Sequence, residues 1–121
     1  MPAGNSNSLK KRCFQLAVAT IRLCDQLPQK RSAWVISDQL IRSVCSIGAN
    51  LVEARGSSSR LEFKRYNEIA LKSSNESIYW FEFLEETGLI GKEKIRPLLQ
   101  EAIELNRMIA SGVLKLKSSR L

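Results

Sequence analysis

Apolar residues recur along this chain at three- and four-residue spacing in four blocks separated by turn-forming residues. In the first, Cys13, Leu16, Ala17, Thr20, Leu23, Cys24 and Leu27 form one helical face, and Pro28 ends the helix. A connector over residues 28–36 leads to a second helix over 37–54, with Ser37 as N-cap and Ile36 stapled against Ile41; Ser32 is the alternative start. Arg55-Gly56-Ser57-Ser58 reads as a turn. Ser59 and Glu62 form a capping box for a third helix over 60–87, which carries Phe63, Tyr66, Ala70, Ser74, Ser77, Phe81 and Leu84 on one face and stops at Gly88. The fourth, over 93–117, places Pro97 in its first turn and continues through Leu98, Ala102, Leu105, Ile109, Val113 and Leu116. With a first helix over 9–27, the bundle occupies residues 9–118, preceded by a disordered segment at 1–8 and followed by a frayed tail at 119–121. Short connectors between long helices predict an all-α, up-down-up-down antiparallel four-helix bundle.

The second helix has an unusually wide apolar arc. At about 100° per residue, Gln39, Arg42, Ser43, Ser46, Asn50 and Glu53 share roughly 100° of arc, while Ile36, Leu40, Ile41, Val44, Ile47, Leu51 and Val52 spread over most of the rest. Such a helix is packed on two sides, by its own bundle and by a second chain, with Ile41, Cys45, Gly48 and Val52 on the flank that one bundle need not cover. Folding helix 3 back on helix 2 brings Arg42 level with Ser73 to Glu76 and Asn50 level with Tyr66. Gln39, Arg42, Ser46, Asn50, Glu53, Tyr66, Ser73 and Glu76 therefore read as a structural polar seam, with Arg42 and Glu76 as a partly buried pair.

The chain has 121 residues and no histidine. It thereby lacks a Ser-His or Cys-His nucleophile pair, a His-based zinc site and the Glu-x-x-His motif of di-metal bundles. Gly88 and Gly91 flank a helix break and do not form a phosphate loop. No catalytic residue, metal ligand or cofactor is assigned, and the chain reads as a non-enzyme. Cys13, Cys24 and Cys45 sit among helical apolar positions and read as buried reduced thiols. No apolar run is long enough to span a membrane, and the polar N-terminus lacks a secretory signal, so no membrane partner and a cytoplasmic location are expected.

The net charge of +7 is unevenly placed. Bundle topology gathers Lys10, Lys11, Arg12, Arg55, Arg60, Lys64, Arg65, Lys115, Lys117 and Arg120 at one end, opposed nearby by Glu53 and Glu62. The other end mixes both signs. A basic end attracts phosphate, so Lys10, Lys11, Arg12, Arg55, Arg60, Lys64 and Arg65 are the candidate nucleic-acid-binding residues. With Tyr66 as the one tyrosine or tryptophan near that end, phosphate contacts would dominate over base stacking.

The pattern Gln39-Leu40-x-Arg42-Ser43-x-x-Ser46-Ile47-x-x-Asn50-Leu51-x-Glu53, followed by Phe63, Tyr66 and Ala70-x-x-Ser73-x-x-Glu76, resembles the bacterial four-helix-bundle family of S23 ribosomal, or 23S rRNA intervening-sequence, proteins. The resemblance extends to Leu27-Pro28 and Gly88-Leu89-Ile90. It departs where the family usually has glycine after the second-helix glutamate, here Ala54 and Arg55 before Gly56, and glycine before the helix-3 serine, here Lys72. Members are similar to the accessory proteins of diversity-generating retroelements, pentameric barrels that bind RNA and a reverse transcriptase. The resemblance thus implies a cyclic homopentamer, with RNA and protein partners. Two non-enzymatic readings follow: an oligomer binding RNA or other nucleic acid through its basic end, or a protein-protein adaptor for a partner enzyme such as a reverse transcriptase, anchored by Trp34, Tyr79 or Trp80.

Overall fold

The computed structural model describes residues 6–118. Four helices follow one another: α1 (Ser6–Cys24), α2 (Arg31–Arg55), α3 (Arg60–Thr87) and α4 (Lys92–Ser118). Each packs on its two neighbours in the cyclic order α1, α2, α3, α4, so the described residues form an antiparallel four-helix bundle. Its core is continuous, from Cys13 and Leu16 on α1 through Leu40 and Ile47 on α2 and Phe81 on α3 to Ile95 and Leu105 on α4. Expectations for residues 1–5 and 119–121, Arg120 included, lie outside the described residues.

Helix α1 begins at Ser6, so residues 6–8 are helical and not a disordered lead. It ends at Cys24, after which two tighter turns, Gln26 N–H to the Leu23 carbonyl and Leu27 N–H to the Cys24 carbonyl, swing Leu27 into the core ahead of Pro28. The larger correction concerns α2, which starts at Arg31 and not at Ser37 or Ser32. Lys30 occupies the N-cap position without a side-chain cap bond. Ala33 and Ile36 extend the buried stripe of Leu40, Val44, Ile47 and Leu51 by one turn. Burying an isoleucine contributes roughly 1.5–3 kcal/mol, more than the roughly 1 kcal/mol of a good cap, so packing overrides the serine signal. Ser37 lies inside the helix beside Cys24.

Helix α3 is capped as its sequence suggests. The Glu62 N–H donates to Ser59 Oγ at 3.1 Å, but the Glu62 carboxylate reaches one residue further back than a standard capping box, accepting from the Ser58 N–H at 3.0 Å. At its other end Gly88 adopts a left-handed conformation, φ 70°. Helix α4 starts at Lys92, one residue earlier than expected, so Pro97 falls early in its second turn and not in the first.

Candidate nucleic-acid interface

Antiparallel packing places the start of α1, the α2–α3 turn and the end of α4 at one end of the bundle. Lys10 and Lys11 stand level with Val52, and Arg65 shares a depression with Glu68, Lys72 and Lys117. Lys11, Arg55, Arg60, Arg65, Lys115 and Lys117 are exposed, and Lys10 and Lys64 are half-buried. No ion pair among the described residues engages Lys10, Lys11, Lys64 or Arg65. These four cations are available to an external anion.

Arg12 departs from that set. Its Nε and Nη2 donate to the two carboxylate oxygens of Glu101 at 2.9 and 2.8 Å, Nη2 also donates to Glu104 at 2.7 Å, and Nη1 lies 3.5 Å from the Met108 sulfur. Its side chain is 29% exposed. The hydrogen bonds to Glu101 and Glu104 raise its pKa further and hold the Glu101 carboxyl below the usual carboxylate range. Arg12 is thus a clamp between α1 and α4 and not a phosphate contact. Register explains the correction: α4 runs antiparallel to α1 and sets two glutamates across from this arginine, a proximity hidden in the linear sequence.

The polar seam lies between α2 and α3 within one chain. Arg42 pairs with Glu76 and also donates to Gln39 Oε1 at 2.9 Å; Glu76 accepts in addition from Trp80 Nε1 at 3.0 Å. Those bonds, led by Trp80, lower the Glu76 pKa. Ser46 and Ser73 share a hydrogen bond at 2.8 Å, and the buried hydroxyls of Ser43 and Ser77 lie 3.1 Å apart. The Arg42–Glu76 pair is more open than expected, with the Arg42 side chain 56% exposed. Asn50, expected level with Tyr66, turns its amide back onto the Ser46 carbonyl and hydroxyl, at 2.8 and 3.0 Å. Glu53 is exposed and Tyr66 half-buried beyond the last of the seam bonds.

Beside the basic end lies an apolar groove of about 590 Å³ between α1 and α2, lined by Cys13, Phe14, Ala17, Val18, Ile21, Val44, Cys45, Gly48, Ala49 and Val52, with Lys10 and Lys11 at its mouth. Phe14 is 70% and Val52 53% exposed. Of the flank anticipated from the wide apolar arc of helix 2, Cys45, Gly48 and Val52 line this groove, whereas Ile41 lines a separate depression with Cys24, Ala33 and Asp38. The helix 1 half of the groove is new, although Phe14, Val18 and Ile21 recur at helical spacing next to the core stripe and could have been read the same way. Cys45 is exposed on this wall, contrary to the expectation of a buried thiol, because its helical position faces the groove and not the core. Cys13 is buried, and desolvation pushes its thiol up to about 11. Gly48 also faces α1, but a methyl group at this position would meet Cys13 Cβ at 3.5 Å, an ordinary van der Waals contact, so the approach of α1 does not depend on glycine there. Among the described residues no cluster of histidine, cysteine and carboxylate side chains could hold a metal ion, and no helix is long and apolar enough to cross a membrane.

The family model for the 23S rRNA-intervening sequence protein matches residues 5–111. The chain belongs to that family. A solved structure similar to it is a protein of unknown function from the S23 ribosomal protein family of Bacteroides thetaiotaomicron VPI-5482, determined at 1.70 Å resolution. The two share 34% identity and superpose with a TM-score of 0.82, over 89% of this chain and 96% of the other. No curated protein sequence matches this chain.

Proposed function

We propose that this member of the 23S rRNA-intervening sequence protein family is a non-enzymatic homo-oligomer that binds structured RNA through clustered basic ends. The observation that carries the reading is the contiguity of two surfaces: Lys10 and Lys11 stand at the mouth of the α1–α2 apolar groove. A second copy covering that groove brings the basic ends of neighbouring copies together. Cyclic symmetry then gives every copy the same orientation, and several weak electrostatic sites act as one avid site. Five copies is the number that the sequence resemblance implies.

Lysine and arginine contacts to phosphate release counterions without reading bases, so affinity falls steeply with salt and depends little on sequence. The test is a salt titration of a hairpin RNA against the parent and Lys64→Glu plus Arg65→Glu. These residues lie outside the groove and the seam, so assembly is retained while affinity and salt slope both fall. Equal affinity and slope in parent and variant would reduce the basic end to a solvated face.

A further inference from the structure

The far end of α3 carries an exposed aromatic face that neither the groove nor the basic end uses. Tyr79 and Phe83 are 55% and 42% exposed, and Trp80 is half-buried beside them. The three rings contact one another, with centroids 5.0 Å apart for Tyr79–Trp80, 5.4 Å for Trp80–Phe83 and 6.0 Å for Tyr79–Phe83. The register that pairs Arg42 with Glu76 sets the exposed Val35 of α2 level with Phe83. Trp80 is fixed from below, its Nε1 donating to Glu76. The result is a preorganised platform of edge-to-face and tilted rings, the kind of surface that anchors polypeptides and cations.

The charge on α3 beside this platform names the occupant, at a bundle end whose turns also carry Lys30, Arg31, Lys92 and Lys94. In a chain of net charge +7, the segment 78–87 holds Glu82, Glu85 and Glu86 and no lysine or arginine. Helical geometry puts Glu82 and Glu86 beside Tyr79 on the outward side of α3. Glu85 is neutralised by Arg96 Nε at 3.0 Å, whereas no ion pair among the described residues engages Glu82 or Glu86. Both lie in the last two turns of α3, whose final turn contains no basic residue. Carboxylates there oppose the helix dipole. Two glutamates kept at a locally unfavourable place, next to exposed rings, are complementary to an external cation.

We propose that the Tyr79, Trp80 and Phe83 face is a docking site for an arginine-bearing segment of a partner polypeptide. Guanidinium groups stack on the rings and pair with Glu82 and Glu86, which lie one turn apart along the strip. Nucleic acid is repelled by the same carboxylates, so this face and the basic end select different partners. The site stands independently of the RNA-binding reading.

Trp34→Phe leaves Trp80 as the sole tryptophan, and in that background a deca-arginine peptide is titrated while Trp80 emission is followed. A saturable emission change that weakens with salt is expected. Glu82→Gln plus Glu86→Gln, and separately Tyr79→Ala plus Phe83→Ala, each weaken binding about tenfold with helical content unchanged. Unaltered Trp80 emission, or equal peptide affinity in either variant, overturns the proposal. So does dissociation of the oligomer by Tyr79→Ala plus Phe83→Ala, which would make the face a contact between copies.

Discussion

Replacing Arg12 by methionine separates architecture from binding. Methionine keeps an apolar stem along α4 and removes the guanidinium that ties Glu101 and Glu104 to α1. The pair is neither open nor enclosed, with side-chain exposures of 29% for Arg12, 33% for Glu101 and 61% for Glu104. Exposed pairs contribute up to about 1 kcal/mol, and breaking fully buried ones costs about 3–5 kcal/mol. A bidentate clamp at intermediate exposure belongs between them, at about 2 kcal/mol. For a chain of this length about 1 kcal/mol corresponds to roughly 4 °C, so Tm falls by roughly 8 °C. A double-mutant cycle with Glu101→Gln then yields a coupling energy of about 1 kcal/mol or more. The salt slope of RNA binding stays at the parent value, because Arg12 already spends its charge inside the bundle. An unchanged melt, or an RNA slope reduced by about one unit, would refute the assignment of Arg12 as a clamp.

Acid titration reads the same clamp. Because Glu101 has its pKa lowered in the folded state, its contribution is present above the unfolded carboxylate value, near about 4.3, and is lost as pH falls through the lower folded value. Thermal melts therefore show stability declining below about pH 4, with a shallower decline in Arg12→Met. Glu76→Gln retains an acceptor for Trp80 and loses an ion pair with a mostly exposed arginine, so calorimetry registers less than about 1 kcal/mol. Gly88→Ala forces a left-handed backbone at φ 70° on a residue with a Cβ and lowers stability by about 1–2 kcal/mol, a loss that denaturant melts resolve.

Helix number, the span of α3 and its Gly88 stop were legible because periodicity, caps and left-handed glycine signals are local. The start of α2 was not. Ser37 offers a strong cap, yet Ala33 and Ile36 had partners on other helices that no local signal reveals. The seam was half legible: the Arg42–Glu76 pair follows from antiparallel register, whereas the Ser46–Ser73 bond and the turn of Asn50 back onto Ser46 depend on side-chain directions that register alone does not set. Among the candidate phosphate contacts, Arg12 was misread because a count of charges at one end ignores which cations already face carboxylates. The groove was visible from α2 alone, and its α1 wall was obscured because Phe14, Val18 and Ile21 adjoin the core stripe without being part of it.

The link from groove to assembly to RNA binding is tested most directly by opening the groove without touching a charge. Phe14→Gln plus Val52→Gln changes two exposed side chains on its opposite walls and leaves the basic end intact. Sedimentation and RNA anisotropy are measured on the same samples. The account predicts that the parent sediments as a closed oligomer, and that the variant sediments as a smaller folded species with RNA affinity reduced by at least about tenfold through lost avidity. A parent that is monomeric at micromolar concentration, or a dissociated variant that binds RNA as tightly as the parent, would contradict it.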